Sequence, residues 1–358
     1  MKKSLIALAA VAVSGAAFAQ SSVTVFGVVD QAVTMVNGGT NWNGINSGGN
    51  QTSRLGFRGV EDLGNGLKAN FWLEAGLLAD QGTGNTTGQT GLDFQRRSTV
   101  GLEGSFGEVR LGRDLTEAFK ATSRYDVFGQ VGLGVSRLWA NNTLGNGVSS
   151  VALTSQRVSN MVTYVSPNIS GFKAAVNYGF GEVQGENRDS RYVGAGLTYD
   201  NGPLSLGLSG ERSNRGANSN VTSDVTAWAL GGSYNLGVVK LAAAYRDSKA
   251  KILTGDKNKA KGYYFGVSAP VGAAGEVKAS YNRYEGQIAG LDKHKADQFA
   301  LGYVHNLSKR TAVYGTYAYI KNKDNGALDV NLNGTGTTGT LKDNGSQHGL
   351  QVGVRHAF

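Results

Sequence analysis

His348-Gly-Leu-Gln-Val-Gly-Val-Arg-His-Ala-Phe358 closes the chain, and its reading decides the fold. Side chains of a β-strand point alternately to opposite faces, so Leu350, Val352, Val354, His356 and Phe358 share one face and Gln351, Gly353 and Arg355 the other. A strand greasy on one side and polar on the other, ending on a terminal Phe, suits a barrel that meets lipid outside and water inside. The opening MKKSLIALAAVAVSGAAFA agrees by a different route. Two lysines, an apolar stretch from Leu5 to Val13 and the small-residue site Ala17-Phe18-Ala19 have the layout of a secretory signal, predicted over residues 1–19 and cleaved before Gln20. Loss of Lys2 and Lys3 lowers the formal charge from +9 to +7, still basic.

Composition narrows the class. With no cysteine, the 358-residue chain can form neither a disulfide nor a thiolate metal site, although export would permit disulfides. No apolar run in the mature chain approaches the roughly 20 residues that a spanning helix needs. The 54 glycines are scattered rather than gathered into a linker, which predicts one domain over 20–358. Glycine within strands fits a curved sheet and close backbone approach.

Seven short turns punctuate the chain, at 63–66, 105–107, 167–170, 200–203, 235–237, 271–275 and 306–308. Between them lie eight longer polar segments, near 36–51, 79–93, 115–156, 182–189, 214–222, 248–259, 286–294 and 322–345. Seven turns and eight long loops join sixteen strands, the alternation expected of a membrane barrel with short periplasmic turns. Strand by strand the period is two. Phe172, Ala174, Val176 and Tyr178 oppose Lys173, Ala175 and Asn177; Leu241, Ala243 and Tyr245 oppose Lys240, Ala242 and Arg246. Strands of a large soluble β protein would alternate too, but its buried face would be richer in Ile, Leu and Val, and its loops need not alternate long with short. Tyr164, Tyr178, Tyr199, Tyr234, Tyr245, Tyr263, Tyr281, Tyr303 and Tyr317, near strand ends, fit an interfacial aromatic girdle.

Several segments, in order, carry a family resemblance: Ser22-Val-Thr-Val-Phe-Gly-Val-Val-Asp30, Ser53-Arg-Leu-Gly-Phe-Arg-Gly59, Arg96-Arg-Ser-Thr-Val-Gly-Leu102, Phe106-Gly-Glu-Val-Arg-Leu-Gly-Arg113 and Arg157-Val-Ser-Asn-Met-Val-Thr-Tyr-Val-Ser-Pro167. Together with Phe358 they make the chain resemble the general trimeric porins of Gram-negative bacteria, of the kind found in β-proteobacteria. The resemblance implies an all-β, sixteen-stranded transmembrane barrel whose third external loop, here 115–156, folds into the lumen. It also implies a wall of arginines facing acids on that loop. By matched motif the wall arginines are Arg54, Arg96 and Arg157. Strand parity adds Arg58, because Leu55 and Phe57 take the lipid side. Between Arg96 and Arg97 the alternation is ambiguous, and the resemblance selects Arg96.

Glu74 matches a wall glutamate and Asp126 a loop aspartate, with Asp114 and Glu117 within reach of the lumen. Enterobacterial relatives continue that aspartate with Pro-Glu-Phe-Gly; here the chain reads Asp126-Val-Phe-Gly129 and the glutamate is absent. Lys120 and Arg124 add positive charge to the loop. The predicted eyelet is net positive, which favours anions. Arg113 shares outward parity with Val109 and Leu111, where an unpaired guanidinium is costly. The resemblance puts it at a subunit interface, opposite Asp80 or Asp93 of a neighbour.

Other functions fit less well. An enzyme of the Ser–His–carboxylate kind needs a histidine near a nucleophile, and His294, His305, His348 and His356 stand in no such motif. Metal-ligand spacings and phosphate-binding glycine motifs are absent as well. Dispersed lysines on an exported barrel do not point to nucleic acid. A channel specific for phosphate or organic acids is the nearest alternative, and a sealed adhesin a more distant one. The expected partners are small hydrophilic solutes, inorganic ions, outer-membrane lipid or lipopolysaccharide and two further copies of the chain, with no cofactor and no metal.

Overall fold

The computed structural model describes residues 22–39, 41–85, 91–139, 156–182, 184, 190–214, 224–251, 257–287, 293–326, 328–330 and 344–358. The predicted signal segment, 1–19, and most of the far half of the third loop lie outside the described residues. In chain order the strands are β1 (Ser22–Asn37), β2 (Trp42–Ser47), β3 (Arg54–Gly64), β4 (Leu67–Leu78), β5 (Thr83–Gly84), β6 (Arg97–Gly104), β7 (Gly107–Leu115), β8 (Arg157–Val165) and β9 (Phe172–Gly179). They continue as β10 (Tyr192–Asn201), β11 (Leu204–Asn214), β12 (Asp224–Asn235), β13 (Lys240–Lys251), β14 (Lys257–Val271), β15 (Gly275–Gln287), β16 (Lys293–Asn306), β17 (Thr311–Lys323) and β18 (Ser346–Ala357). Among the described residues an α-helix, α1 (Glu117–Ser123), and a 3-10 turn at Arg137–Trp139 interrupt them.

Sixteen of these strands make the wall. The other two, β2 and β5, are loop additions: β2 folds back on the outer half of β1, from Gln31↔Ser47 to Val36↔Trp42, and β5 is a two-residue pairing on β4. Every wall strand runs antiparallel to its neighbours, and β1 pairs with β18 from Val28↔Ala357 to Asn37↔His348, closing the circle. All seven predicted short turns join consecutive wall strands, and the eight long segments join them at the other end.

The two faces separate as the alternation predicts. Leu350, Val352 and Val354 stand about half exposed outside, whereas Gln351 is fully buried inside, donating Nε2 to Thr34 Oγ1 at 2.9 Å and Asn46 Oδ1 at 3.2 Å. Glycines on the outer face have a specific use at the seam. Gly27 and Phe358 exchange both backbone hydrogen bonds at 3.1 Å, and the Phe358 ring covers Gly27 so closely that an added Cβ would lie 2.4 Å from ring Cζ and 2.8 Å from the Arg54 carbonyl oxygen. Overpacking of this kind typically costs about 1–3 kcal/mol. Gly27→Val is therefore expected to push the ring off the seam and lower the temperature at which the barrel loses its compact, fast-migrating form on unheated gels, while Val25→Thr on the same face leaves that temperature nearly unchanged.

Candidate functional site

The apolar core of this protein lies inside the barrel, where the third loop docks. Thr116 caps α1, its hydroxyl accepting from Phe119 N at 3.3 Å. Small residues on the wall admit the loop: a Cβ on Gly207 would come 2.2 Å from the Ala121 carbonyl oxygen, and one on Gly231 2.4 Å from the Tyr125 ring. Beyond the helix, Tyr125, Phe128, Leu133, Leu138 and Trp139 bury against Ala242, Ala244, Tyr264, Tyr284, Ala300 and Ile320. Polar contacts register the fit. Val127 N donates to the Tyr264 hydroxyl at 2.8 Å, Arg137 N to that of Tyr284 at 2.7 Å, and Gln298 Nε2 to the carbonyl of Val135 at 3.0 Å.

Asp126 organises the turn within this loop. Its carboxylate accepts from Phe128 N at 3.0 Å, Gln130 N at 3.2 Å, Gln130 Nε2 at 2.7 Å and Ser136 N at 3.0 Å. Burial pushes this carboxyl above the ordinary carboxylate value, and the N–H donors pull it partly back. Although Asp126 belongs to the cavity wall, it is only 5 % exposed and its oxygens are turned into the loop.

Across from the docked loop is a cavity of about 520 Å³, with Arg54, Arg96 and Arg157 on one side and Arg124, Asp126 and Gln130 on the other. Arg96 Nε lies 2.6 Å from Glu74 Oε1, and Arg54 Nε 3.9 Å from the same oxygen. The third arginine leans on the backbone instead: Arg157 Nε donates to the Arg96 carbonyl at 3.0 Å. Two of the three guanidiniums thus share one carboxylate, and the third has no acid of its own among the described residues. Arg124, on the loop, forks onto Asp200 at 2.9 and 3.1 Å in an exposed pair. Such a pair is worth little in water.

Four of the expected site residues make contacts within the chain other than those expected. Arg58 points inward but is not among the residues lining this cavity; Gly56 separates it from Arg54, and its guanidinium stacks on Phe26 and Trp72, 5.3 and 5.2 Å from their ring centres. Glu117 and Lys120 do not oppose the arginine wall either. Arg110 binds Glu117 at 2.7 Å and Glu108 at 3.1 Å, while Lys120 bridges Asp114 at 2.8 Å and Glu117 at 2.9 Å, so the loop charges pin the start of α1 to β7. Arg113 already has partners in its own chain, donating to the Gln95 carbonyl at 2.5 Å and to Ser159 Oγ at 2.8 Å. No described ion pair joins it to Asp80, whereas Asp93 of the same chain acts on it electrostatically.

Two groups escaped the sequence reading. Arg97 also turns inward, 3.6 Å from Asp114 and with its guanidinium 4.6 Å from the Trp72 ring centre. Asp30 holds the first loop beside the cavity: its carboxylate accepts from Gly49, Asn50 and Gln51 N at 3.3, 2.9 and 2.6 Å and from the Tyr314 hydroxyl. Its signal was the one charged residue, at an inward position, of an otherwise uncharged strand.

A closed sixteen-strand barrel with an inward-folded third loop and a charged cavity defines a membrane channel. The chain belongs to the Gram-negative porins, with residues 5–325 matching that family, and its place is the outer membrane. Among its relatives is outer membrane porin protein 32 of Delftia acidovorans, 46% identical over the whole of both chains. An outer membrane porin protein of Bordetella pertussis is 34% identical over 90% of this chain and 95% of its own length. The solved anion-selective porin from Comamonas acidovorans superposes with a TM-score of 0.83 at 42% identity, covering 95% of this chain and 100% of that one.

Removing the Asp126 carboxylate leaves three backbone N–H groups short of an acceptor, each worth about 1–3 kcal/mol when buried. Asp126→Ala is expected to loosen the loop, giving a noisier open-channel current and faster cleavage within 126–136 by added protease; Asp126→Asn, which keeps one acceptor oxygen, should fall between it and the parent.

Proposed function

We propose that this porin passes inorganic ions and small hydrophilic solutes passively and prefers anions. The observation that carries the reading is the gathering of Arg54, Arg96 and Arg157 at a single cavity, with Glu74 the one carboxylate among the described residues that forms an ion pair with any of them. With three positive charges and one negative, the net field at the narrowing is positive. Two unit charges about 8 Å apart interact by roughly 0.5 kcal/mol in bulk water and about 2 kcal/mol at an effective dielectric near 20. A few guanidiniums acting together bias which ion is admitted without trapping it. Rings of arginine and lysine do this in anion pores, and the Comamonas acidovorans porin described as anion-selective, 42% identical, supports the same reading here. Arg124, Lys120 and Glu117 contribute less than the wall, because each has an oppositely charged partner within 3 Å. The chain acts as a conduit and not as an enzyme.

The working assembly is a homotrimer in which Arg113 lies near a subunit boundary. Its outward parity and its anchoring on Gln95 and Ser159 support this, since they hold a guanidinium ready at a surface that lipid alone would penalise.

In a potassium chloride gradient across a planar bilayer, the parent protein should give a reversal potential of chloride sign, weakening as salt screens the wall. Arg54→Gln with Arg157→Gln should bring it toward neutral, whereas Lys251→Glu, on the outer rim, should leave it in place; a potassium-selective parent would refute the reading. Saturation of conductance at low phosphate or organic-acid concentration would favour a substrate-specific channel instead. Arg113→Ala should lower the temperature at which oligomers dissociate on gels by several degrees, and an unchanged temperature would remove Arg113 from the interface.

A further inference from the structure

On its outer face the barrel carries a groove that the channel does not use. It has a volume of about 300 Å³ and is lined by Asp247, Lys249, Lys259, Lys261, Glu285 and Lys293, at the loop ends of β13 to β16. All six have the outward parity of Tyr245, Tyr263, Tyr281 and Phe299 on the same strands. Those aromatics form the upper girdle, with ring centres 5.2 Å apart for Tyr245 and Tyr263 and 4.9 Å for Tyr281 and Phe299. Two residues along a strand rise roughly 7 Å, so Lys261 and Asp247 stand one step above the aromatic row and Lys249 and Lys259 two. That is headgroup level for a barrel whose aromatics mark the interface.

The charge in this groove is incompletely matched. Lys261 pairs with Glu285 at 3.1 Å and Lys249 reaches Asp247 at 3.7 Å, but no ion pair joins Lys259 or Lys293 to a described carboxylate. Register makes the excess sharper. Lys249 and Lys259 are direct cross-strand partners, and Lys259 and Lys293 both pair with Gln287, one from each side. Like charges directly opposite on a sheet repel. Three lysines and one amide therefore line the same groove at the edge of the lipid, with more positive than negative charge among its residues.

We propose that this groove binds a phosphate group of an outer-leaflet glycolipid, Lys249, Lys259 and Lys293 surrounding the phosphate, Gln287 donating an amide hydrogen, and the acyl chains descending over the aromatic row. The lipid, rather than a soluble anion, is the occupant because the groove faces away from the lumen and opens onto the girdle. Its charge lies outside the pore, so the site is independent of the anion preference proposed above.

The test uses the full-length protein in detergent, with bisphosphorylated lipid A as probe and native mass spectrometry as readout. Lys259→Gln with Lys293→Gln should weaken binding about tenfold or more while leaving conductance and reversal potential as in the parent. Lipid A stripped of its phosphates should bind the parent no better than bisphosphorylated lipid A binds the double variant. Equal binding by parent and variant, or indifference to the lipid's phosphates, would overturn the proposal. So would displacement of the lipid by inorganic phosphate at matched concentration, which would make free phosphate the ligand. Lys249→Gln supplies a second readout with opposite signs: it should raise the unfolding temperature of lipid-free protein, by relieving the repulsion, and reduce the extra stabilisation that lipid A confers. Destabilisation of equal size with and without lipid would make the lysines merely structural.

Discussion

Hydrocarbon offers a backbone N–H no partner, so a sheet that crosses a membrane must leave no edge. Everything else in this molecule depends on meeting that constraint. The ladder between β1 and β18 removes the last free edge, and the reciprocal hydrogen bonds of Gly27 and Phe358 finish it at the inner end. Closure also explains the division of labour within β1. Its first half pairs with β3, up to Val28↔Arg54, and its second half lies between β18 and the folded-back β2. One strand thus seals the wall and starts the first loop, and Asp30, near the middle, accepts the N–H groups that hold this loop beside Arg54.

Once closed, the barrel encloses space that must be filled unevenly if it is to conduct. The third loop fills one side with an apolar core around Tyr125, Phe128, Leu133 and Trp139, against alanines and tyrosines of the far strands. The opposite side keeps its water and its arginines. Because the loop's own charges are consumed in pairing, Glu117 and Lys120 with Arg110 and Asp114, the field in the cavity is set mainly by the wall. Arginine suits that wall. Its fork can lean on a carbonyl, as Arg157 does on Arg96, and stay charged without an acid of its own.

Much of this was legible in the residues. Period-two alternation and turn chemistry located all sixteen wall strands, since lipid and water impose opposite demands on adjacent side chains. Motif and parity together brought Arg54, Arg96 and Arg157 to one cavity. What failed to read out was distance along a strand and pairing across loops. Arg58 has the parity of Arg54 but stands four residues lower, on Trp72. Asp126 reads as an acid aimed at the pore, yet a short loop segment wraps its N–H groups around the carboxylate. The Arg110–Glu117 pair joins a wall strand to the first turn of a loop helix, a contact that no local pattern announces. Arg96 and Arg97 looked like alternatives because alternation allows only one inward; Arg96, lying just before the strand, escapes that rule and both turn in.

The seat beneath Tyr125 and Ala121 is made of absent side chains. Gly207 and Gly231 hold the loop by what they lack, so the calibre of the passage is set from behind, by the thickness of the wall that backs the loop. A methyl group added there has nowhere to go except into the loop, which it would shift toward the arginines. The width of the opening and its electrical character are consequently governed by separate strands. A lineage of such proteins can retune one without disturbing the other, altering the gauge through small residues on β11 and β12 and the charge through arginines on the opposite side.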